Sequence, residues 1–246
     1  MSRIAVILPG AGRSSRFAGK EKKVFANLDG RAVWLRSAEA FVNRPDVAQT
    51  LVVIAPEDQD TFRTKYGAHL GLLGVEVVAG GAERFDSVAN ALAKLRDDID
   101  LVAIHDAARP CVTARMIDDV FAAAAKTGAA LLAVPVSDTV KRGDDAGRVE
   151  ATVPRKGLWL AQTPQVFRRD WLVEAHARRA QLGRDVTDDA QLIEAAGHPV
   201  YLVTGSASNV KITTREDLAL AEAVLKSRPA PKAPRPIHPF DDEVRW

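Results

Sequence analysis

The chain is predicted to fold as an α/β protein built on a mostly parallel sheet with helices on both faces. Three observations predict it. Apolar runs of strand length recur at residues 4–8, 50–54, 75–78, 101–104 and 129–134, and runs this uniformly apolar fit strands buried on both sides. The stretches between them carry apolar residues at helical spacing, so strands and helices alternate as they do when crossover helices join parallel strands. Gly10, Pro56, Gly80, Gly81 and Gly128 punctuate the segments where turns are required.

The first strand, residues 4–8, runs into Pro9-Gly-Ala-Gly12 and a long loop to Lys23. Gly10 and Gly12 carry no Cβ, so the backbone can turn sharply and approach a ligand closely. Successive N–H groups of such a turn can line a concave anion site. Arg13, Arg16, Lys20, Lys22 and Lys23 follow, opposed only by Glu21. A strand, a small-residue turn and a cluster of bases point to a polyphosphate. The known phosphate loops do not fit: Gly19-Lys20 is followed by Glu21, where a P-loop needs a hydroxyl. Gly10-Ala-Gly12 also lacks the third glycine of a dinucleotide fingerprint. From the glycines alone, an ordinary strand-to-helix turn remains the alternative.

Residues 32–41 are expected to form a helix with Val33, Leu35, Ala38 and Phe41 inward. Residues 57–66 read as a polar helix. Residues 84–95 place Phe85, Val88, Ala89, Leu92 and Leu95 on one helical face, and 113–126 form a helix stopped by Gly128. Ligands of such sheets sit at the carboxyl ends of the strands. That rule places residues 9–23, 80–87 and 105–110 on one rim.

The pattern changes after Pro135. Residues 136–142 and 148–153 alternate around a Gly- and Asp-rich turn, as in a hairpin. Neither arm is apolar enough for a central strand, so the hairpin is expected to project and be covered by a second subunit. The alternative is a flap over the protein's own cleft. Residues 161–167 precede a helix at 170–182, and a helix at 188–196 has Thr187 as its expected N-cap. Residues 199–203 and 210–213 read as strands, and 215–225 as the last helix. From 227 onward, Pro229, Pro231, Pro234, Pro236 and Pro239 force an extended tail, expected to be disordered. The domain is therefore 1–226, with 134–156 as its arm and 227–246 as a Pro-rich tail.

Composition narrows the function. Of 246 residues, 47% are apolar and 27% charged, and the net charge is +2. That balance argues against nucleic acid or an anionic membrane as the main partner. Cys111 is the only cysteine; it excludes an intrachain disulfide and a multi-cysteine zinc site, and reads as a small buried residue. Residues 1–8 are too short for a signal peptide and no run approaches membrane-spanning length, so the cytoplasm is the expected location.

Taken together, the motifs resemble the 2-C-methyl-D-erythritol 4-phosphate cytidylyltransferase family of the non-mevalonate isoprenoid pathway, from Ile4 to about Lys226. They are Pro9-Gly-Ala-Gly12 with Arg16 and Lys23, Gly80-Gly81-x-x-Arg84-x-x-Ser87, and His105-Asp-Ala-Ala-Arg-Pro110. Then come Pro135-Val-x-Asp-Thr139, Arg155-x-Gly157-Leu-Trp159, Thr163-Pro-Gln165, Thr187-Asp188, and Asn209-x-Lys211 ahead of residues 216–222. Each alone is modest; eight in order are specific.

The resemblance implies a Rossmann-like sheet of the nucleotide-diphospho-sugar transferase type with a projecting hairpin arm. It implies transfer of a cytidylyl group from CTP to a sugar-alcohol phosphate with release of pyrophosphate. Such chemistry calls for cations and magnesium rather than a base, because a phosphate nucleophile is already ionised. Carried over by position, Arg16 and Lys23 stabilise the transition state, with Arg155 and Lys211 completing the catalytic set by placing the second substrate's phosphate. Pro9, Gly10, Ala11, Gly12, Gly80, Gly81, Ser87, Asp106 and Ala107 would bind the nucleotide. Asp106, Arg109, Thr139, Arg155, Thr163, Thr187 and Lys211 would cradle the polyol phosphate. Magnesium would be held mainly by the triphosphate, with Asp106 as the candidate protein ligand, and His105 is read as structural. The arm residues would reach a partner subunit in a homodimer.

Three positions depart from the family pattern: Lys22 stands where a proline is usual, leaving Lys22 as a rival to Lys23; Ala82 where an acid is common; and Ser14 where a glycine is usual. A ribitol-5-phosphate cytidylyltransferase would share the CTP half. A nicotinamide oxidoreductase is opposed by the missing third glycine. A non-catalytic binding module is opposed by the presence of Arg16, Lys23, Arg155 and Lys211.

Overall fold

The computed structural model describes residues 2–12, 17, 22–179 and 186–228. Arg16 and the tail beyond 228 therefore lie outside the described residues, as do Ser14 and residues 180–182 of the expected helix. The strands are β1 Ile4–Pro9, β2 Asn27–Leu28, β3 Arg31–Ala32, β4 Val47–Ile54, β5 Val75–Ala79, β6 Leu101–Ile104, β7 Ala129–Pro135, β8 Val140–Gly143, β9 Val149–Val153, β10 Trp159–Arg168 and β11 Tyr201–Thr204. The helices are α1 Val33–Glu39, α2 Gln59–Leu73, α3 Arg84–Leu92, α4 Ala114–Thr127, α5 Arg169–Ala177, α6 Asp189–Ala195 and α7 Arg215–Lys226.

Seven strands form the main sheet in the order β11-β7-β10-β6-β1-β4-β5. Strands β6, β1, β4 and β5 are mutually parallel, as are β7 and β11, whereas β10 runs antiparallel to both its neighbours. The fully buried residues of β1 divide between two layers. Val6 and Leu8 face a cluster with Trp34, Phe41 and Phe62, while Ala5 and Ile7 face one with Phe85, Val88 and Leu172. This is the two-faced burial that the apolar runs require. Helix α4 has clear ends: the Thr113 hydroxyl accepts from Met116 N–H, and Gly128 closes it at φ 91°. A Cβ at Gly128 would also lie 2.5 Å from the Trp171 ring.

Three expectations are corrected. Strand β10 is central, not a mere lead into a helix. Pro164 and the polar pair Gln162 and Gln165 mask it, because proline cannot donate to a ladder. The structure accommodates Pro164 by breaking register with β7 between Ala161 and Gln165. Residues 210–213 are not a strand but a loop, tied down by Ile212 N–H to the Ala108 carbonyl at 2.8 Å. Thr187 is not the cap of α6. Asp188 is, its carboxylate accepting from Gln191 N–H, while Thr187 donates to the Gln191 side chain.

A small hairpin also went unpredicted: β2 and β3 pair antiparallel through Asp29 and Gly30, both at positive φ. The expected hairpin is present as β8 and β9, a two-stranded sheet separate from the main one with nearly all its residues exposed.

Candidate active site

The rim expected from the topology exists. Backbone pairing continues just past the strand ends: Gly10 N–H donates to Val53 O (2.8 Å), Gly80 N–H to Ile54 O (2.8 Å) and His105 N–H to Ile7 O (2.9 Å). The three loops therefore leave the sheet along one edge. Between them lies a cleft of about 560 Å³, lined by Pro9, Gly10, Ala11, Gly12, Lys23, Gly80, Gly81, Arg84, Ser87, Asp106 and Lys211, among others. That volume suits a nucleotide.

The Gly80–Gly81 turn is shaped by contact rather than by unusual dihedrals. A Cβ at Gly80 would stand 2.6 Å from Ala11 Cβ, and one at Gly81 would stand 2.3 Å from Asp86 Cβ. The buried Ser87 hydroxyl accepts from Gly81 N–H and donates to the Glu83 carbonyl, each at 3.0 Å. Ser87 thus holds the turn, and the turn packs on the first loop. Gly80→Ala must displace one loop from the other. Overpacking of this kind costs about 1–3 kcal/mol; drawn from nucleotide affinity, that is roughly a ten- to hundredfold weaker Kd for CTP. Calorimetric titration of CTP checks it, and unchanged affinity would refute the loop-to-loop contact as a determinant.

Asp106 is the electrostatic centre. Its Oδ2 lies 2.8 Å from Lys211 Nζ and 3.4 Å from Arg109 Nε. Burial alone would raise its carboxyl, but the charges of Lys211, Arg84 and Arg109 outweigh burial and hold it well below the usual carboxylate range. Lys211 is aimed by its neighbours. Asn209 donates to Thr163 O (3.0 Å) and Gln162 Oε1 (3.3 Å), while Arg109 donates to Asn209 O (2.7 Å). With Ile212 tied to Ala108, the lysine between them has a fixed base.

His105 is structural, as expected. Its Nε2 faces the Arg109 carbonyl at 3.0 Å, and a carbonyl only accepts, so Nε2 carries the proton. Nδ1 therefore accepts from Thr163 Oγ1 (3.2 Å), which in turn accepts from Asp106 N–H (3.1 Å). Thr163, expected at the polyol phosphate, has its hydroxyl engaged in this chain and acts on the backbone of Asp106. Burial pushes the His105 pKa down to about 4. The unfolded state gains this proton near pH 6.5 and the folded state only near 4, so stability falls as pH drops through that interval. The loss from His105 between pH 7.5 and 5 is about 2 kcal/mol. Urea unfolding at the two pH values measures it, and His105→Gln should flatten the difference.

The other predicted residues divide. Lys23 lines the cleft, whereas Lys22 is paired with Asp58 (2.5 Å) and Glu57 (3.2 Å). Ala107 is buried behind the cleft, its N–H 3.4 Å from Pro9 O. Arg109 is largely buried beside Asp106. Thr139, Arg155 and Thr187 are exposed and do not line the cleft, and Arg155 donates to the Ser137 carbonyl at the foot of the hairpin.

Two residues had no assigned role in the sequence reading. Arg84, part of a quoted motif, reaches the cleft, and Asp189 lies behind it, fully buried, with Oδ2 2.7 Å from Arg84 Nη1. Burial would lower the Arg84 guanidinium, but Asp189 and Asp106 overcome this and keep it firmly charged.

The model of the 2-C-methyl-D-erythritol 4-phosphate cytidylyltransferase family matches residues 4–227. The chain belongs to that family. It is 45% identical to the 2-C-methyl-D-erythritol 4-phosphate cytidylyltransferase of Rhodopirellula baltica, over 90% of this chain and 94% of that one. The crystal structure of 4-diphosphocytidyl-2C-methyl-D-erythritol synthase from Anaerococcus prevotii superposes with a TM-score of 0.78 at 28% identity, covering 92% and 99% of the two chains. The cytidylyltransferase of Thermus thermophilus gives 0.74 at 35%, covering 92% and 100%. The α/β sheet with one antiparallel strand is thus the cytidylyltransferase fold, and the rim cleft occupies the carboxyl edge where such sheets take ligands.

Proposed function

We infer that this cytidylyltransferase moves the cytidylyl group of CTP onto 2-C-methyl-D-erythritol 4-phosphate, releasing pyrophosphate. The observation that carries the reading is the single cleft joining the Gly10–Gly12 loop, the Gly80–Gly81 turn, Lys23, Asp106 and Lys211 in a chain of this family. The narrow Gly80–Gly81 turn would read a pyrimidine edge through backbone groups. Lys23, with Arg16 close to it in sequence, would draw charge off the triphosphate as the bond to pyrophosphate breaks. Lys211 would hold the attacking phosphate opposite the α-phosphorus. A phosphate oxygen attacks, the pentacoordinate centre gains negative charge, and fixed cations stabilise it without a proton transfer. Mass-spectrometric detection of the diphosphocytidyl product from the two substrates tests this; CTP consumed without that product would contradict it.

Magnesium fits the donors present. Among the described residues no three His, Cys, Asp or Glu side chains converge. Asp106 offers a buried carboxylate at the cleft, with Oδ2 already engaged by cations. That suits an ion carried mainly on phosphate oxygens, with Asp106 as its one protein ligand. When bound, it would neutralise charge on the triphosphate. The protein would work in the cytoplasm; no helix among the described residues is long and apolar enough to cross a membrane.

Dimerisation through the hairpin would bring Thr139 and Arg155 to a partner's cleft. Exposed Leu158, Trp159 and Leu160 beside the arm support a covered surface there. Mixing inactive Arg155→Ala and Lys211→Ala chains should then restore activity, since random pairing leaves about one site in four intact. A mixture as inactive as its parts would place both residues in one subunit's site.

A further inference from the structure

Behind the cleft lies a charge relay that the proposed chemistry does not use. Asp189 opens α6 and has no exposed surface. One of its oxygens meets Arg84 Nη1 at 2.7 Å and the other His176 Nε2 at 3.1 Å. The three residues come from α3, α5 and α6, so the cluster joins three helices. His176 is itself almost fully buried and lies 6.2 Å from the Phe85 ring, whose face the Arg84 guanidinium approaches at 5.6 Å. Arg84 alone of the three reaches the cleft. A long, flexible cation at a binding surface ordinarily loses rotamer freedom when it grips a ligand. Here one end of the guanidinium is clamped beforehand, and its planar fork leaves other N–H groups for a second acceptor.

We propose that Asp189 is a positioning residue for nucleotide binding: it fixes the Arg84 guanidinium, which contacts the anionic nucleotide in the cleft. His176 steadies Asp189 from the opposite side. The inference rests on the reading of this cleft as the CTP site.

The test is a double-mutant cycle on CTP affinity, measured by calorimetry with CTP and magnesium and no second substrate. Arg84→Gln should weaken CTP about tenfold, as expected for one charge-assisted contact. Asp189→Asn should weaken it severalfold in the wild-type background. Added to Arg84→Gln it should cause no further loss, because nothing remains to be positioned. Should Asp189→Asn alone fail to fold, leaving Arg84 buried and unpaired, the comparison of Arg84→Gln with Arg84→Gln/Asp189→Asn still decides, since that pair removes both charges. An equal loss in both backgrounds would overturn positioning in favour of an independent effect. Unchanged CTP affinity in Arg84→Gln, with only melting temperatures lowered, would reduce the cluster to a structural brace. A wild-type chain that binds no CTP would remove the reading beneath the inference, and the inference with it.

Discussion

Lys23→Ala should lower kcat about a hundred- to a thousandfold, the scale of losing one preorganised donor to developing charge. The expectation comes from how the structure holds this lysine. It begins a 3-10 turn, Lys23–Phe25, whose Val24 is buried and whose Phe25 packs against Phe62 at 5.7 Å and Tyr66 at 6.5 Å. The turn is anchored in the core, so Lys23 is presented to the cleft from a rigid base. Its neighbour Lys22 is paired with Glu57 and Asp58. Lys22→Ala should therefore leave kcat near the wild-type value, a contrast that single-turnover kinetics on the pair would expose. Arg16→Ala is expected to match Lys23→Ala. Wild-type rates in both Arg16→Ala and Lys23→Ala would contradict the proposed electrostatic role of the loop.

Asp106→Asn is the second large effect. The substitution keeps shape and removes the charge that balances Lys211, Arg109 and Arg84. Breaking a buried ionic cluster from one side leaves uncompensated charge and costs about 3–5 kcal/mol. Lys211, no longer drawn to its partner at 2.8 Å, also loses its aim, so kcat/KM should fall by roughly a hundredfold, in the range for a misplaced positioning group. The sign of the pH effect separates this group from His105. A carboxylate held below its unfolded value of about 3.9 contributes fully above that pH and is lost only as pH falls through the lower folded value. The Asp106→Asn deficit should therefore be the same at pH 5 and pH 7.5, whereas the His105 contribution changes between them. Urea midpoints at both pH values, with and without each substitution, distinguish the two.

Much of this was legible because parallel sheets announce themselves. Apolar runs locate β1, β4, β5, β6 and β7, and the carboxyl-edge rule gathers Gly10, Gly80 and Asp106 from the sequence. The central antiparallel strand was not legible, since Pro164 and two buried glutamines, Gln162 and Gln165, imitate a loop. Their polar groups are satisfied by Ser206, Asp188 and Ala190, partners distant in sequence. The same limit hid the cap of α6: Thr187 and Asp188 are both good caps, and only the hydrogen bond to Gln191 N–H chooses between them. It also hid Asp189, whose pairing with Arg84 spans elements that nothing local connects. Nothing local distinguishes Lys22 from Lys23 either; the ion pair of Lys22 with Asp58 joins residues 36 apart in sequence.

The most direct measurement is pyrophosphate release with CTP and magnesium, comparing 2-C-methyl-D-erythritol 4-phosphate with ribitol 5-phosphate. Release with the methylerythritol substrate, lost in Lys23→Ala, is the predicted result. Release only with ribitol 5-phosphate, or with neither, would contradict the proposed function.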